Sequence, residues 1–258
     1  MTFKVIAAGK MNRLALLLAG VAIAGAAGPA AAQTAVYVTA FGGSDSPGRE
    51  TLDGANSSGA ARHIEATLDD GSIFGAALGV TSPDYSFGRF RAEVEVSSRK
   101  SDLQGIELNG VARTIRDDGN VSVSTGMVQA LYDTPLYWDR VRFHVGAGYG
   151  FAAVDHNLGY LVANAAAIGS SPGNFLINIP NAETTSAYQV MAGAEFVLTP
   201  TWSLTADVRS LRVGDLQAQR FIENSIINGT PTTTGTLDSV LSADYSSTSY
   251  TVGLKYAF

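Results

Sequence analysis

The last nine residues constrain the fold more than any other stretch. From Tyr250 one parity reads Tyr250, Val252, Leu254, Tyr256, Phe258, and the other reads Thr251, Gly253, Lys255, Ala257. A period of two with one apolar and one polar face is a β-strand, because successive side chains leave opposite faces of the pleated chain. The polar face consists of small residues and one lysine, which suits a narrow wet interior. The apolar face is then left to look outward.

The same alternation recurs along the chain. A first strand covers 35–43, with its parity open between Val36, Val38, Ala40 and Tyr37, Phe41. A second runs from Ile64 to Thr81, interrupted near Asp69-Asp70-Gly71, and its clean half sets Phe74, Ala76, Leu78 and Val80 against Gly75, Ala77 and Gly79. The third opposes Phe90, Ala92, Val94 and Val96 to Arg89, Arg91, Glu93, Glu95 and Arg99. A fourth, less clean, covers 125–133. The fifth sets Phe143, Val145, Ala147, Tyr149 and Phe151 against Arg142, His144, Gly146, Gly148 and Gly150. The sixth and seventh, at 188–198 and 202–209, carry Glu195, Asp207 and Arg209 on their polar parities. Segments 44–62, 100–120, 155–185 and 213–244 read as loops, whereas Pro83, Pro135 and Pro200 mark tight connections. Eight antiparallel strands joined by alternating long and short connections predict an all-β, up-and-down transmembrane barrel with brief turns on one side.

The start of the chain is read separately. Lys4, Lys10 and Arg13, an apolar run from Leu14 to Ala24, and Ala30-Ala31-Ala32 predict a cleavable signal peptide over 1–32, with Met1 and Met11 both open as starts. The rest, 33–258, reads as one barrel domain. Removing the signal takes three of 17 basic and none of 23 acidic residues, leaving 14 against 23, a net charge of −9. That balance argues against a nucleic-acid partner. There is no cysteine, so an exported product has neither a disulfide framework nor thiol chemistry. No later stretch is apolar for about 18 residues, so any membrane crossing uses strands.

With apolar faces outward, Arg91, Glu93, Glu95, Arg142, His144, Glu195, Asp207, Arg209 and Lys255 share the lumen. Buried charge is costly unless paired, and an eight-stranded barrel is just wide enough for its own side chains to fill, so the expectation is a plugged interior. Glycines of the fifth strand are expected to make room for the long arginines and glutamates opposite. Phe90, Tyr132, Trp138, Phe143 and Trp202 gather near the short turns and are expected to form an aromatic girdle. Chemistry is sparse: His63 sits near a loop edge, His144 in the lumen, and Asp155-His156 at the start of a long segment, where a solvated loop pair is the simplest reading. No metal cluster, phosphate loop or nucleophile motif is present in the sequence, and no cofactor is expected.

Phe90-Arg91-Ala92-Glu93-Val94-Glu95, Met127 to Asp133 with its proline turn, Phe143 to Phe151, and Tyr250 to Phe258 together resemble the small eight-stranded outer-membrane barrels of Gram-negative bacteria: the OmpA transmembrane domain, OmpX and porin-family surface antigens. The resemblance covers the whole mature chain. It implies residence in the outer membrane with both termini periplasmic, contact with membrane lipid and lipopolysaccharide, and recognition of Tyr256 and Phe258 by the barrel-assembly machinery. The chain ends at the barrel, so no peptidoglycan-binding domain is implied. The expected function is a non-enzymatic barrel supporting the envelope, with at most a small or gated pore. An adhesin or receptor binding an unnamed ligand through its loops, a lipid-modifying enzyme, and a soluble secreted ligand-binding β-barrel are the alternatives.

Overall fold

The computed structural model describes residues 35–56, 58–115, 119–166, 172–223 and 236–258. The expected signal peptide therefore lies outside the described residues. Eleven strands are present: β1 (Ala35–Pro47), β2 (Glu50–Asn56), β3 (Ala61–Leu68), β4 (Gly71–Thr81), β5 (Arg89–Leu108), β6 (Val111–Ile115), β7 (Asn120–Asp133), β8 (Val141–Ala166), β9 (Pro172–Val197), β10 (Trp202–Glu223) and β11 (Thr236–Ala257).

All pairings are antiparallel, and they close. One circuit runs β1, β4, β5, β7, β8, β9, β10, β11 and back to β1, where Val38 meets Tyr256 and Ala40 meets Leu254. Further along, a second circuit replaces β1, β4 and β7 by their chain neighbours β2, β3 and β6. The eleven described strands thus form eight staves, two of them broken by a short kink at 48–49 or 69–70 and a third made of β6 and β7. Across the apolar band this closure leaves no open edge among the described strands, the condition for a sheet to lie in hydrocarbon.

The four expected long loops are corrected. Most of 44–62, 100–120, 155–185 and 213–244 is strand, prolonging the barrel beyond its apolar band. Three physical causes hid this. In β5 the register against β3 slips between Thr67 and Leu68, and in β10 the register against β11 slips between Val213 and Leu216. Each extra residue moves the inward parity by one. The connection from β5 to β6 is no loop but Asn109-Gly110, with φ of 50° and 77°, a two-residue turn that only residues tolerant of positive φ form readily. In 155–161 and 176–185 the parity holds, but Asn157, Gly159, Pro180, Asn181 and Thr184 give neither face enough contrast to be seen.

Polarity inverts along the staves. At the end carrying the short turns, outward residues are apolar, with Val128 66%, Phe151 63% and Val252 63% exposed, while inward Glu95 and Asp133 are fully buried. In the prolonged part, inward residues form a dry core that includes Leu52, Ile64, Leu103, Leu158, Ile179, Leu211 and Tyr245. Outward there, Asp53, Asp102, Glu107, Asp155, Arg212 and Gln217 are exposed, with Val111, Leu161, Leu237 and Val240 as apolar exceptions. The parity of β1, open in the sequence, is settled by its neighbours: Tyr37, Phe41 and Asp45 face in, Val36 and Val38 out. A soluble barrel would need Phe143 and Leu254 in a shared dry centre, but they are 49% and 43% exposed on the outer face.

One seam interrupts the wall. The β9–β10 ladder lapses from Val213 to Phe221, where Gly214-Asp215 bulges, Asp215 takes φ 56°, and Pro180 on β9 has no N–H to give. Side chains stand in for the missing ladder: Asn181 Nδ2 donates to the Gln217 carbonyl, and the Glu183 carboxylate accepts from the Gln217 amide at 2.6 Å.

Two outcomes follow from this division. Val145→Arg, in the apolar band, lowers the folding free energy in lipid by about 2–4 kcal/mol, whereas Gln219→Arg on the prolonged part changes it by roughly 0.5 kcal/mol or less; urea titration of folding into lipid vesicles reads both. His63 on β3 places Nδ1 2.6 Å from Asp53 and Nε2 3.2 Å from Glu65, and these hydrogen bonds, Asp53 first, raise its pKa above the usual histidine value. His63 and Arg49 together lower that of Glu65. The protonated imidazole therefore favours the folded state fully below its unfolded pKa, and the contribution is lost as pH rises through the folded value. An NMR titration of His63 gives a midpoint above 6.5, and Asp53→Asn brings it down.

Candidate functional site

Inward parity on eight staves brings distant charges into one narrow space. At the short-turn end, β5 contributes Arg89, whose register partner on β7 is Asp133. Arg89 donates to Asp133 at 2.6 Å and to Glu195 of β9 at 3.0 Å. Lys255 of β11 donates to the same Glu195 oxygen at 2.6 Å. Arg91 reaches Asp133 at 2.8 Å and Glu93 at 2.9 Å, and the Tyr37 hydroxyl donates to Glu93. Arg142 of β8 turns toward the rim and pairs with Asp84 at 2.8 Å.

Deeper in the lumen, Asp207 of β10 holds His144 at 2.6 Å and Arg209 at 3.3 Å. Arg209 also donates to Glu95 and to Thr251, and its guanidinium lies 4.0 Å over the Phe41 ring. A residue with Cβ could not stand at Gly193: that atom would come 2.4 Å from Asp207 Oδ1 and 2.7 Å from His144 Nε2. Gln189 then links Glu95 to Arg99, which also bonds Ser97 and lies 3.4 Å from Asp45. Ser249 and Tyr245 complete the shell of Asp45. Beyond that level the described lumen residues are mainly apolar, with Ser101, His156 hydrogen-bonded to Glu50, and a far-end cluster of Arg220, Asp238, Arg62, Tyr160 and Ser239 among the polar ones.

All nine residues singled out for the lumen, Arg91, Glu93, Glu95, Arg142, His144, Glu195, Asp207, Arg209 and Lys255, are buried. The sequence reading left out Tyr37, Asp45, Arg89, Arg99, Asp133 and Gln189. Arg89 and Arg99 share the parity of Arg91, and Asp133 that of Gln129, so a stricter use of parity finds them. Asp45 lay in a presumed loop, beyond a strand whose parity was open. With these included, Arg89, Arg91, Arg99, Arg142, Arg209 and Lys255 face Asp45, Glu93, Glu95, Asp133, Glu195 and Asp207, a balance of charge among the described lumen residues. Such balance is what makes burial tolerable, since an unpaired charge out of water costs several kcal/mol.

A Cβ added at Gly146 or Gly148 would meet Leu131 or Gln129 of the adjacent β7. One expectation changes. Asp155 and His156 are not a loop pair, since His156 points inward to Glu50 while Asp155 is exposed on the outer face. Phe90, Trp138, Phe143 and Trp202 are exposed at the short-turn end, and Tyr132 packs on Phe90 with ring centres 5.7 Å apart. Tyr256 packs against Trp202 at 4.8 Å and Phe258 at 5.1 Å, and the Phe258 amide bonds the Val36 carbonyl. Among the described residues no group of three or more His, Asp or Glu is placed to hold a metal.

Comparison with curated protein sequences finds no match. The outer membrane protein OprG from Pseudomonas aeruginosa has a similar fold, with TM-score 0.51 at 14% identity over 88% of this chain and 97% of that one. Neisserial surface protein A gives 0.40 at 12% identity over 86% and 97%, and outer membrane protein AlkL gives 0.43 at 19% over 90% and 94%. The family model for the outer membrane protein β-barrel domain matches residues 14–258. A closed strand circuit with an apolar outer band and that match over nearly the whole length give one conclusion: this chain belongs to the outer membrane protein β-barrel family and resides in the bacterial outer membrane.

Proposed function

We propose that the protein is a non-enzymatic barrel with a sealed lumen that supports the outer membrane and holds its prolonged end outside the cell. The observation that carries this is the lumen itself. An ion-pair network spans the apolar band from Arg142 to Asp45, and a dry core from Leu52 to Tyr245 lies beyond it. An ion would have to break charge-assisted bonds and then cross hydrocarbon, each step costing several kcal/mol. Brief turns at the other end support a periplasmic placement of both mature termini. In the same reading, residues 1–32 are the export signal, Tyr256 and Phe258 face the assembly machinery, and Phe90, Tyr132, Trp138, Phe143 and Trp202 anchor the inner leaflet of the bilayer.

A receptor role is the second reading. It is favoured by the rigid polar staves that project beyond the band, with Asp53, Asp102, Glu107 and Asp244 exposed. An acidic barrel wall, not a set of flexible loops, would then meet the partner.

In planar bilayers the purified barrel gives no large, stable conductance; long-lived channels in most insertions would end the sealed-lumen reading. Arg209→Leu removes the cation that joins Glu95 to Asp207. It lowers stability by about 3–5 kcal/mol, read by urea titration, and raises the frequency of brief openings.

A further inference from the structure

The short-turn end holds a cavity of about 200 Å³ that the sealed lumen leaves without a role. Its wall carries three cations, Arg89, Arg142 and Lys255, against a single carboxylate, Glu195. The pairing is uneven. Lys255 Nζ and Arg89 Nη2 converge on one oxygen, Glu195 Oε2, at 2.6 and 3.0 Å. The carboxylate partner of Arg142 is Asp84, whose side chain is 59% exposed on the turn between β4 and β5. A pair whose anion stands in water is weak, so this guanidinium is open to competition. Hydroxyls of Thr81, Thr201 and Ser203 line the same wall.

We propose that this cavity binds a small oxyanion of the phosphate type. Three observations select that class. Lining cations outnumber lining carboxylates three to one, and of the acids beyond the lining that balance them, Asp133 is buried against Arg89 whereas Asp84 stands in water and is displaceable from Arg142. The cations come from β5, β8 and β11, so they approach from three staves and suit a tetrahedral arrangement of oxygens better than a flat one. The volume falls below the roughly 300–1,000 Å³ of sites for drug-sized molecules, which leaves out peptides and nucleotides. Arg142 supplies the forked donor that favours phosphate oxygens, and Lys255 supplies a point charge. The anion takes the place of Asp84 on Arg142 and ties β8 to β11. Binding to the folded state alone then raises its apparent stability.

The test uses the full barrel folded in detergent, titrated with inorganic phosphate at constant ionic strength set by chloride. Arginine side-chain NMR signals and the unfolding temperature are read together. The expected result is a saturable shift and a rise in unfolding temperature with phosphate. Arg142→Gln weakens binding about tenfold or more, the loss of one charge-assisted contact. Asp84→Asn tightens it, because the competing carboxylate is gone, and no folding defect can imitate that gain. Arg62→Gln at the far end leaves it unchanged. An unsaturable shift that chloride reproduces, or saturable binding indifferent to both Arg142→Gln and Asp84→Asn, overturns the proposal. Neither result touches the conductance of the lumen, so the two readings fail separately.

Discussion

Closure of the sheet, β1 onto β11, is the constraint on which everything else rests. In hydrocarbon no backbone N–H or C=O can go unpaired, and only a ring of strands satisfies them all without edges. Once the ring is closed, each residue has two destinations only, outward to the surroundings or inward to the lumen. The charges of Arg91, Glu95, Asp207 and Arg209 then have no water to retreat to, and their mutual pairing is the condition for the fold to exist.

The same geometry explains why one barrel carries two opposite patterns. Side chains alternate in and out along the whole of a stave, a bulge only changing which residues face in, but the medium outside changes. Where lipid is outside, Val128, Tyr149 and Val252 face it and ions fill the interior. Where water is outside, the exchange is reversed: Leu52, Leu158 and Leu211 move to the interior and carboxylates to the surface. The level of Asp45, Arg99 and Tyr245 is where one regime gives way to the other, so the boundary of the apolar band is written into the lumen as well as onto the wall. The lapse in the β9–β10 ladder lies just past this level, where side chains and ordinary hydrogen-bonding solvent can replace the lost ladder bonds.

Sealing the lumen and offering a charged pocket at one end are compatible. The network is balanced as a whole, but at its end it is locally uneven, because the counter-charge of Arg142 lies on an exposed turn and Glu195 serves two cations. A loosely held counter-charge is tolerable there since solvent is near, and costly at the depth of Arg99.

The alternation is legible in the sequence alone: eight strand segments, all but the first with a readable oily and polar parity, three tight proline turns, and hence a transmembrane barrel with Glu93, Glu95, Asp207 and Arg209 sharing a side. Period two is a local property, so it is legible one residue at a time. What only the tertiary structure decided is where the staves end, which way β1 faces, and who pairs with whom. Bulges at 104–105 and 214–215 shift parity by one residue, and a single sequence carries no mark of that shift. Asp45 joins Arg99, and Glu50 joins His156, across 54 and 106 residues of chain because closing the ring, and nothing local, makes them neighbours.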